Sequence, residues 1–142
     1  MSAPGTRIQA GVQGVWLCGA APLPTEHTQN YPSGWNLNEG VQAIGPLIDN
    51  GYTGWGGEAR ITWPERGLQL SLHMPDFERD GGAAHHFCLI YRPPQGPAFC
   101  FEPITQPIDA FHLPQRPGLR VLQEGEGFAL NMQWRVQEIA VV

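Results

Sequence analysis

The chain of 142 residues contains no lysine and no long apolar run. Its eight basic residues are all arginines, and 13 acidic residues give a formal net charge of −5. A surface that follows nucleic-acid phosphates needs clustered positive charge, so this balance argues against nucleic acid as a partner. No stretch approaches the ~18 apolar residues of a membrane helix, and residues 1–11 lack the apolar segment of a signal peptide. We therefore predict a cytoplasmic protein without a membrane partner.

Cysteine is scarce. Cys18, Cys88 and Cys100 form an odd set without C-x-x-C spacing, which argues against a disulfide framework and against a structural zinc site. Cys88 and Cys100 stand in apolar runs, where cysteine usually acts as a small buried hydrophobe. The adjacent pair His85 and His86 would face opposite ways on a strand, so a shared metal ion is not expected. We predict no metal and no cofactor.

Helical periodicity is absent as well, because 18 glycines and 14 prolines interrupt almost every window. Period-two alternation is clear instead, and it predicts a half-buried strand over 128–136. Two alternating runs, 59–63 and 68–72, flank a Pro–Gly turn and predict a hairpin. The result is one all-β domain over 1–142, an antiparallel β-sandwich. Further strands are expected at 7–10, 14–17, 86–92 and 98–101, and a long irregular connection at about 21–47.

One segment has a more specific pattern. Residues 100–111 read CFEPITQPIDAF, which resembles the E-P-x-T…D-A-F signature of the aldose 1-epimerases. The LPT of 23–25 and the IDNGYTGW of 48–55 are similar to two further family motifs, and 119–126 resembles the entry into the family's last strand. The resemblance covers nearly the whole chain but only the C-terminal half of a typical member. It implies about half of a galactose mutarotase-like sandwich of the supersandwich type.

The resemblance also implies roles for two carboxylates. Glu102 matches the base that takes the proton of the sugar C1 hydroxyl, and Asp49 matches a position that hydrogen-bonds sugar hydroxyls. Each has a structural alternative, namely a carboxylate satisfied by loop amides for Glu102 and an Asx-turn before Gly51 for Asp49.

Three more residues are candidate sugar contacts. Tyr52 and Trp55 are predicted to stack on a pyranose, with core packing as their alternative. His112 stands where the family usually has Asn, and it either binds the sugar or is a solvated loop histidine. By the resemblance, the family's general-acid histidine and a second sugar-contacting histidine and arginine belong upstream of Met1.

These features favour an isomerase that interconverts the α and β anomers of a hexose, incomplete or inactive alone. The alternative is a non-catalytic carbohydrate-binding or assembly module derived from the same family. The expected partner is a small-molecule sugar. Without the other half of the fold, sheet edges and an apolar face should be exposed, so we expect a homo-oligomer or pairing with a missing N-terminal half.

Overall fold

A computed structural model describes residues 4–75 and 86–141 of the protein. The described strands form two five-stranded antiparallel sheets, so the predicted all-β sandwich is confirmed. In spatial order, the first sheet contains β10 (Gln133–Glu138), β7 (Leu68–His73), β6 (Glu58–Trp63), β1 (Arg7–Ala10) and β4 (Val41–Gln42). The second sheet contains β3 (Pro24–Thr28), β2 (Gly14–Cys18), β5 (Ile48–Thr53), β8 (Phe87–Arg92) and β9 (Cys100–Ile104).

The predicted hairpin is present as β6 and β7, which pair along their full length. A 3-10 turn at Pro64–Arg66 joins them, and Gly67 ends it in the left-handed region at φ 60°. A Cβ at Gly67 would lie 3.0 Å from the carbonyl oxygen of Ile139, so the close approach of the C-terminal segment also needs glycine here. The predicted strands at 86–92 and 98–101 correspond to β8 and β9, which are neighbours.

The core lies between the two sheets. Alternate residues of each strand point inward, as the period-two pattern requires. Tyr52 and Trp55 are fully buried there, and Arg92 is buried as well. Its guanidinium donates to the carbonyl oxygens of Pro46 and Gln42, both at 2.7 Å. Burial lowers the pKa of Arg92, while the two carbonyls accept hydrogen bonds from its Nε and Nη1.

Two sequence predictions are wrong in part. The connection at 21–47 contains β3 and β4, and Leu37 within it is fully buried. Its polar strand PTEHT has no apolar alternation because β3 is an exposed edge. The C-terminal strand covers only Gln133–Glu138, and it is not half-buried, since Trp134 is 53% and Val136 68% exposed. No helix in the described ranges is long and apolar enough to cross a membrane.

A buried amide joins β5 to β2 where their regular pairing stops. β5 pairs with β2 only at Gly14 and Val15. Beyond these residues, Nδ2 of Asn50 donates to the carbonyl oxygen of Trp16 at 2.8 Å, and its Oδ1 accepts from the Asp49 N–H at 3.1 Å. Asn50 therefore replaces the missing backbone ladder with side-chain hydrogen bonds.

Replacing Asn50 with alanine should lower the free energy of unfolding by about 1–3 kcal/mol, because the Trp16 carbonyl and the Asp49 N–H lose buried partners. Urea denaturation followed by tryptophan fluorescence measures the change. Asn30→Ala is the matched control, since Asn30 is exposed. Equal midpoints for the two variants would contradict the structural role of Asn50.

Candidate active site

The register of the second sheet decides which side chains share its outer face. Directly opposed residues on neighbouring antiparallel strands point to the same side. Gly51 opposes Leu89, and Leu89 opposes Glu102. Asp49 lies two residues from Gly51 on β5 and therefore has the same orientation. The two carboxylates that the resemblance selected thus share the outer face of this sheet.

Their separation follows from the sheet spacing. Glu102 lies two strands from β5, in the row of Gly51, and Asp49 lies one row further along. This corresponds to about 10 Å across the sheet and about 7 Å along it, and so to roughly 12 Å between the two Cα atoms.

Glu102 itself is exposed on an edge strand rather than partly buried at a strand end. In the described part of the chain its carboxylate has no hydrogen bond or ion pair, so the alternative of a carboxylate satisfied by loop amides does not apply. Pro103 follows it within β9, which an edge strand tolerates because one row of N–H groups is unpaired.

An open cleft of about 540 Å³ lies beside Glu102. It is lined by Leu89 and by residues 103–111, the end of β9 and the loop that follows. Ile108 from this loop reaches to 4.0 Å from the position that a Cβ of Gly51 would occupy. Leu89 and Ile108 therefore form an apolar patch between the carboxylates. A second cleft, of about 490 Å³, lies on the first sheet around Gln9, Arg60 and Ser71, away from both.

Asp49 is in β5 rather than in a turn, so the Asx-turn alternative is wrong. The thiol of Cys18 lies near it, at 3.9 Å from the Asp49 carbonyl oxygen. Burial, and next the Asp49 charge, raise the pKa of Cys18 and keep it a thiol.

His112 lies in the loop after β9 and is mostly exposed. Asp109 has a positive φ of 58°, and its backbone carbonyl oxygen accepts a hydrogen bond from the backbone N–H of His112 at 3.0 Å. The Asp109 carboxylate also contacts Nδ1 of the His112 ring. The ring is therefore oriented by Asp109. A contact between His112 and a sugar stays a prediction.

Tyr52 and Trp55 do not form the predicted stacking platform. The Tyr52 hydroxyl donates to the Trp35 carbonyl oxygen at 2.9 Å, and burial raises its pKa. Nε1 of Trp55 donates to the Glu58 carbonyl oxygen at 2.7 Å. Both rings are fully buried, so the core alternative applies to each.

The outer face also carries a histidine that no sequence pattern indicated. Nε2 of His27 lies 2.9 Å from the Thr53 hydroxyl, and its ring centroid is 5.0 Å from that of Trp16. Position 27 lies in the segment read as an irregular connection, so its orientation was not predictable from alternation.

No group of three or more His, Cys, Asp or Glu side chains in residues 4–75 and 86–141 is placed to hold a metal ion. The predicted behaviour of the His85–His86 pair cannot be followed, because His85 lies outside the described residues. All three cysteines are free thiols. Cys88 is buried as expected, but Cys100 is exposed, because it points to the outer face like Glu102.

Comparison with known proteins supports the fold. No family model matches the chain. The uncharacterized protein YphB of Escherichia coli K12 is 31% identical over 139 residues, covering 94% of this chain and 46% of YphB. A crystal structure of an Escherichia coli K12 protein described as a candidate aldose 1-epimerase matches with a TM-score of 0.83 at 27% identity, over 97% of this chain and 47% of that one.

These matches define a two-sheet sandwich of the aldose 1-epimerase type. The chain is similar in fold to the matched part of that structure, and it spans about half the length of the relatives that it matches.

Thiol labelling tests the orientation of β9. At mildly alkaline pH an aromatic disulfide reagent should modify Cys100 rapidly, whereas Cys88 should react only after unfolding, because burial raises its pKa and blocks access. Cys100→Ser should remove the fast phase. Because Cys18 is a half-buried free thiol, the labelling is done in a Cys18→Ser background. A fast phase that survives Cys100→Ser there would show that β9 has another register, which would also turn Glu102 away from the outer face.

Proposed function

We propose that the protein is an isomerase of the aldose 1-epimerase type that acts on a hexose or a related aldose, with Glu102 as its base and Asp49 as a sugar ligand. The observation that carries the proposal is the shared outer face: the register brings the two carboxylates to one side of the second sheet, and Pro103, the residue after Glu102, lines an open cleft. A cleft with an apolar patch and a few polar groups is the usual form of a small-molecule site.

The reaction needs one base and one acid. Glu102 takes the proton of the C1 hydroxyl, the C1–O bond to the ring oxygen breaks, and the ring oxygen accepts a proton from the acid. Rotation about the C1–C2 bond of the open chain, followed by the same steps in reverse, gives the other anomer. Atoms and charge therefore balance, and no cofactor is required. His112 is the candidate for the acid.

A non-catalytic carbohydrate-binding module is the second candidate. The chain spans 46% and 47% of the lengths of the two relatives, and by the resemblance the family's general-acid histidine belongs to the part that it does not span. A chain that binds aldoses through Asp49 without accelerating mutarotation would be such a module.

Replacing Glu102 with glutamine should reduce mutarotation of α-galactose or α-glucose, followed by polarimetry, by roughly 10²–10⁴-fold, because the amide cannot accept the C1 hydroxyl proton. Glu65→Gln is the matched control, since Glu65 is exposed on the turn between β6 and β7. Acceleration that survives in Glu102→Gln would remove Glu102 from the mechanism. Absence of acceleration by the unchanged chain would favour the binding module.

A cytoplasmic location is also part of the proposal. It is supported by the three free cysteines, two of them at least partly buried, which suit a reducing compartment.

We further propose that a second copy of this chain covers the edge of the first sheet. Trp134 and Val136 oppose Leu72 and Leu70, so their side chains continue the inner, apolar face of that sheet. Leu72 is buried, whereas the two β10 side chains are largely exposed. An apolar face that continues past the edge of its partner layer is an association surface.

Light scattering should therefore show a dimer or a larger assembly at micromolar concentration. Replacing both Trp134 and Val136 by glutamate in one variant should shift the chain towards monomer. Unpaired charges are too costly to bury in the interface. Gln133→Glu and Arg135→Glu, on the opposite side of β10, are the controls. A monodisperse monomer of the unchanged chain would contradict this assembly.

A further inference from the structure

The outer face of the first sheet concentrates positive charge. The strand registers turn every second residue of β1, β4, β6, β7 and β10 outward, and these outward positions carry three arginines, Arg7, Arg60 and Arg135. Glu58 is the one acidic residue at the outward positions of these described strands. The face is therefore locally basic, on a chain whose formal net charge is −5.

Two of these arginines flank one serine. Arg60 on β6 and Arg135 on β10 both directly oppose Ser71 on β7, so the three side chains stand in one row on the same side of the sheet. Neighbouring strands lie about 4.8 Å apart, which places roughly 10 Å between the Cα atoms of the two arginines. Their long side chains can therefore reach a group held above Ser71 from opposite sides.

Neither guanidinium group is neutralised within the described part of the chain. No hydrogen bond or ion pair joins the side chain of Arg60 or of Arg135 to another described residue. The Glu58 carboxylate lies in the next row, 3.6 Å from Nδ1 of His73, which opposes it. The two arginines thus keep all their N–H donors for an external acceptor.

Ser71 adds a third donor between them. Nε2 of Gln69 donates to Oγ of Ser71 at 3.5 Å. Because the hydroxyl group accepts this hydrogen bond, its own proton stays available for an external acceptor. The row therefore presents hydrogen-bond donors from two sides and from below.

Space for a ligand lies next to this row. The cleft of about 490 Å³ on the first sheet is lined by Arg60 and Ser71 and also by Gln9 and His73. A volume of this size is in the range of small-molecule sites. Its polar lining suits the hydroxyl groups of a small polar molecule.

We propose that Arg60, Ser71 and Arg135 bind a phosphate group, either free or as part of a small phosphate ester whose remaining atoms lie in the cleft. A phosphate has several acceptor oxygens pointing in different directions, and the guanidinium fork matches two of them at once. A planar carboxylate would leave one of the two arginines without a partner. This site lies on the opposite sheet from Glu102 and does not depend on the proposed isomerase activity.

Inorganic phosphate and D-glucose 6-phosphate, titrated separately into the full chain at constant pH and ionic strength, test the proposal. Both should produce saturable changes at the amides of Arg60, Ser71 and Arg135 in NMR spectra. Arg60→Gln and Arg135→Gln should each weaken phosphate binding about three- to tenfold, because charge-assisted hydrogen bonds at an exposed site keep part of their strength. Tighter binding of the ester, with further changes at Gln9 and His73, identifies an ester as the ligand, and equal affinities identify free phosphate.

Arg66→Gln is the matched control, because Arg66 loses the same charge but is exposed on the turn between β6 and β7, outside the row. It should bind phosphate as the unchanged chain does. Equal weakening in Arg66→Gln and Arg60→Gln would reveal a general effect of net charge and would overturn the proposal. Unchanged affinity in the double variant Arg60→Gln/Arg135→Gln, or no saturable change on the first sheet of the unchanged chain, would overturn it as well.

Discussion

The candidate site depends on the inward orientation of two side chains of β5. Asn50 and Tyr52 are buried and hydrogen-bonded to backbone carbonyls of other segments, those of Trp16 and Trp35. Because side chains alternate along a strand, this orientation turns Asp49, Gly51 and Thr53 outward. A slip of one residue would bury the carboxylate and expose the tyrosine, at a cost of several buried contacts. The core thus sets the face on which the polar groups meet.

The other strands of the second sheet follow the same rule. Phe101 packs edge-on against Trp55 at 5.4 Å between ring centroids, which holds β9 with Phe101 inside and with Cys100 and Glu102 outside. On the other side, the ladder from β2 to β3 turns Trp16 and His27 outward. Polar groups that are far apart in sequence, at positions 27, 49, 53 and 102, therefore reach one surface without any local motif joining them. The buried residues explain the site as much as the exposed ones do.

Much of this arrangement was predictable from the sequence, and the rest was not, for physical reasons. The β6–β7 hairpin has alternation and a Pro–Gly turn, both local signals. Glu102 and Asp49 were found by resemblance, which records position rather than geometry. The predicted sugar-stacking role of Tyr52 and Trp55 is wrong, because the sequence around an aromatic residue beside glycine is the same whether the ring faces the core or a ligand. His27 was missed because an exposed edge strand needs no apolar alternation. The exposure of Trp134 and Val136 depends on the extent of the opposing layer, which alternation does not report.

The central claim is that an aldose binds on the outer face of the second sheet, between Glu102 and Asp49. Mapping amide chemical shifts with and without D-galactose tests it most directly, since the two clefts lie on different sheets. The account predicts that the largest changes occur at Gly51, Leu89 and Glu102. Changes confined to Gln9, Arg60 and Ser71 on the first sheet would contradict it.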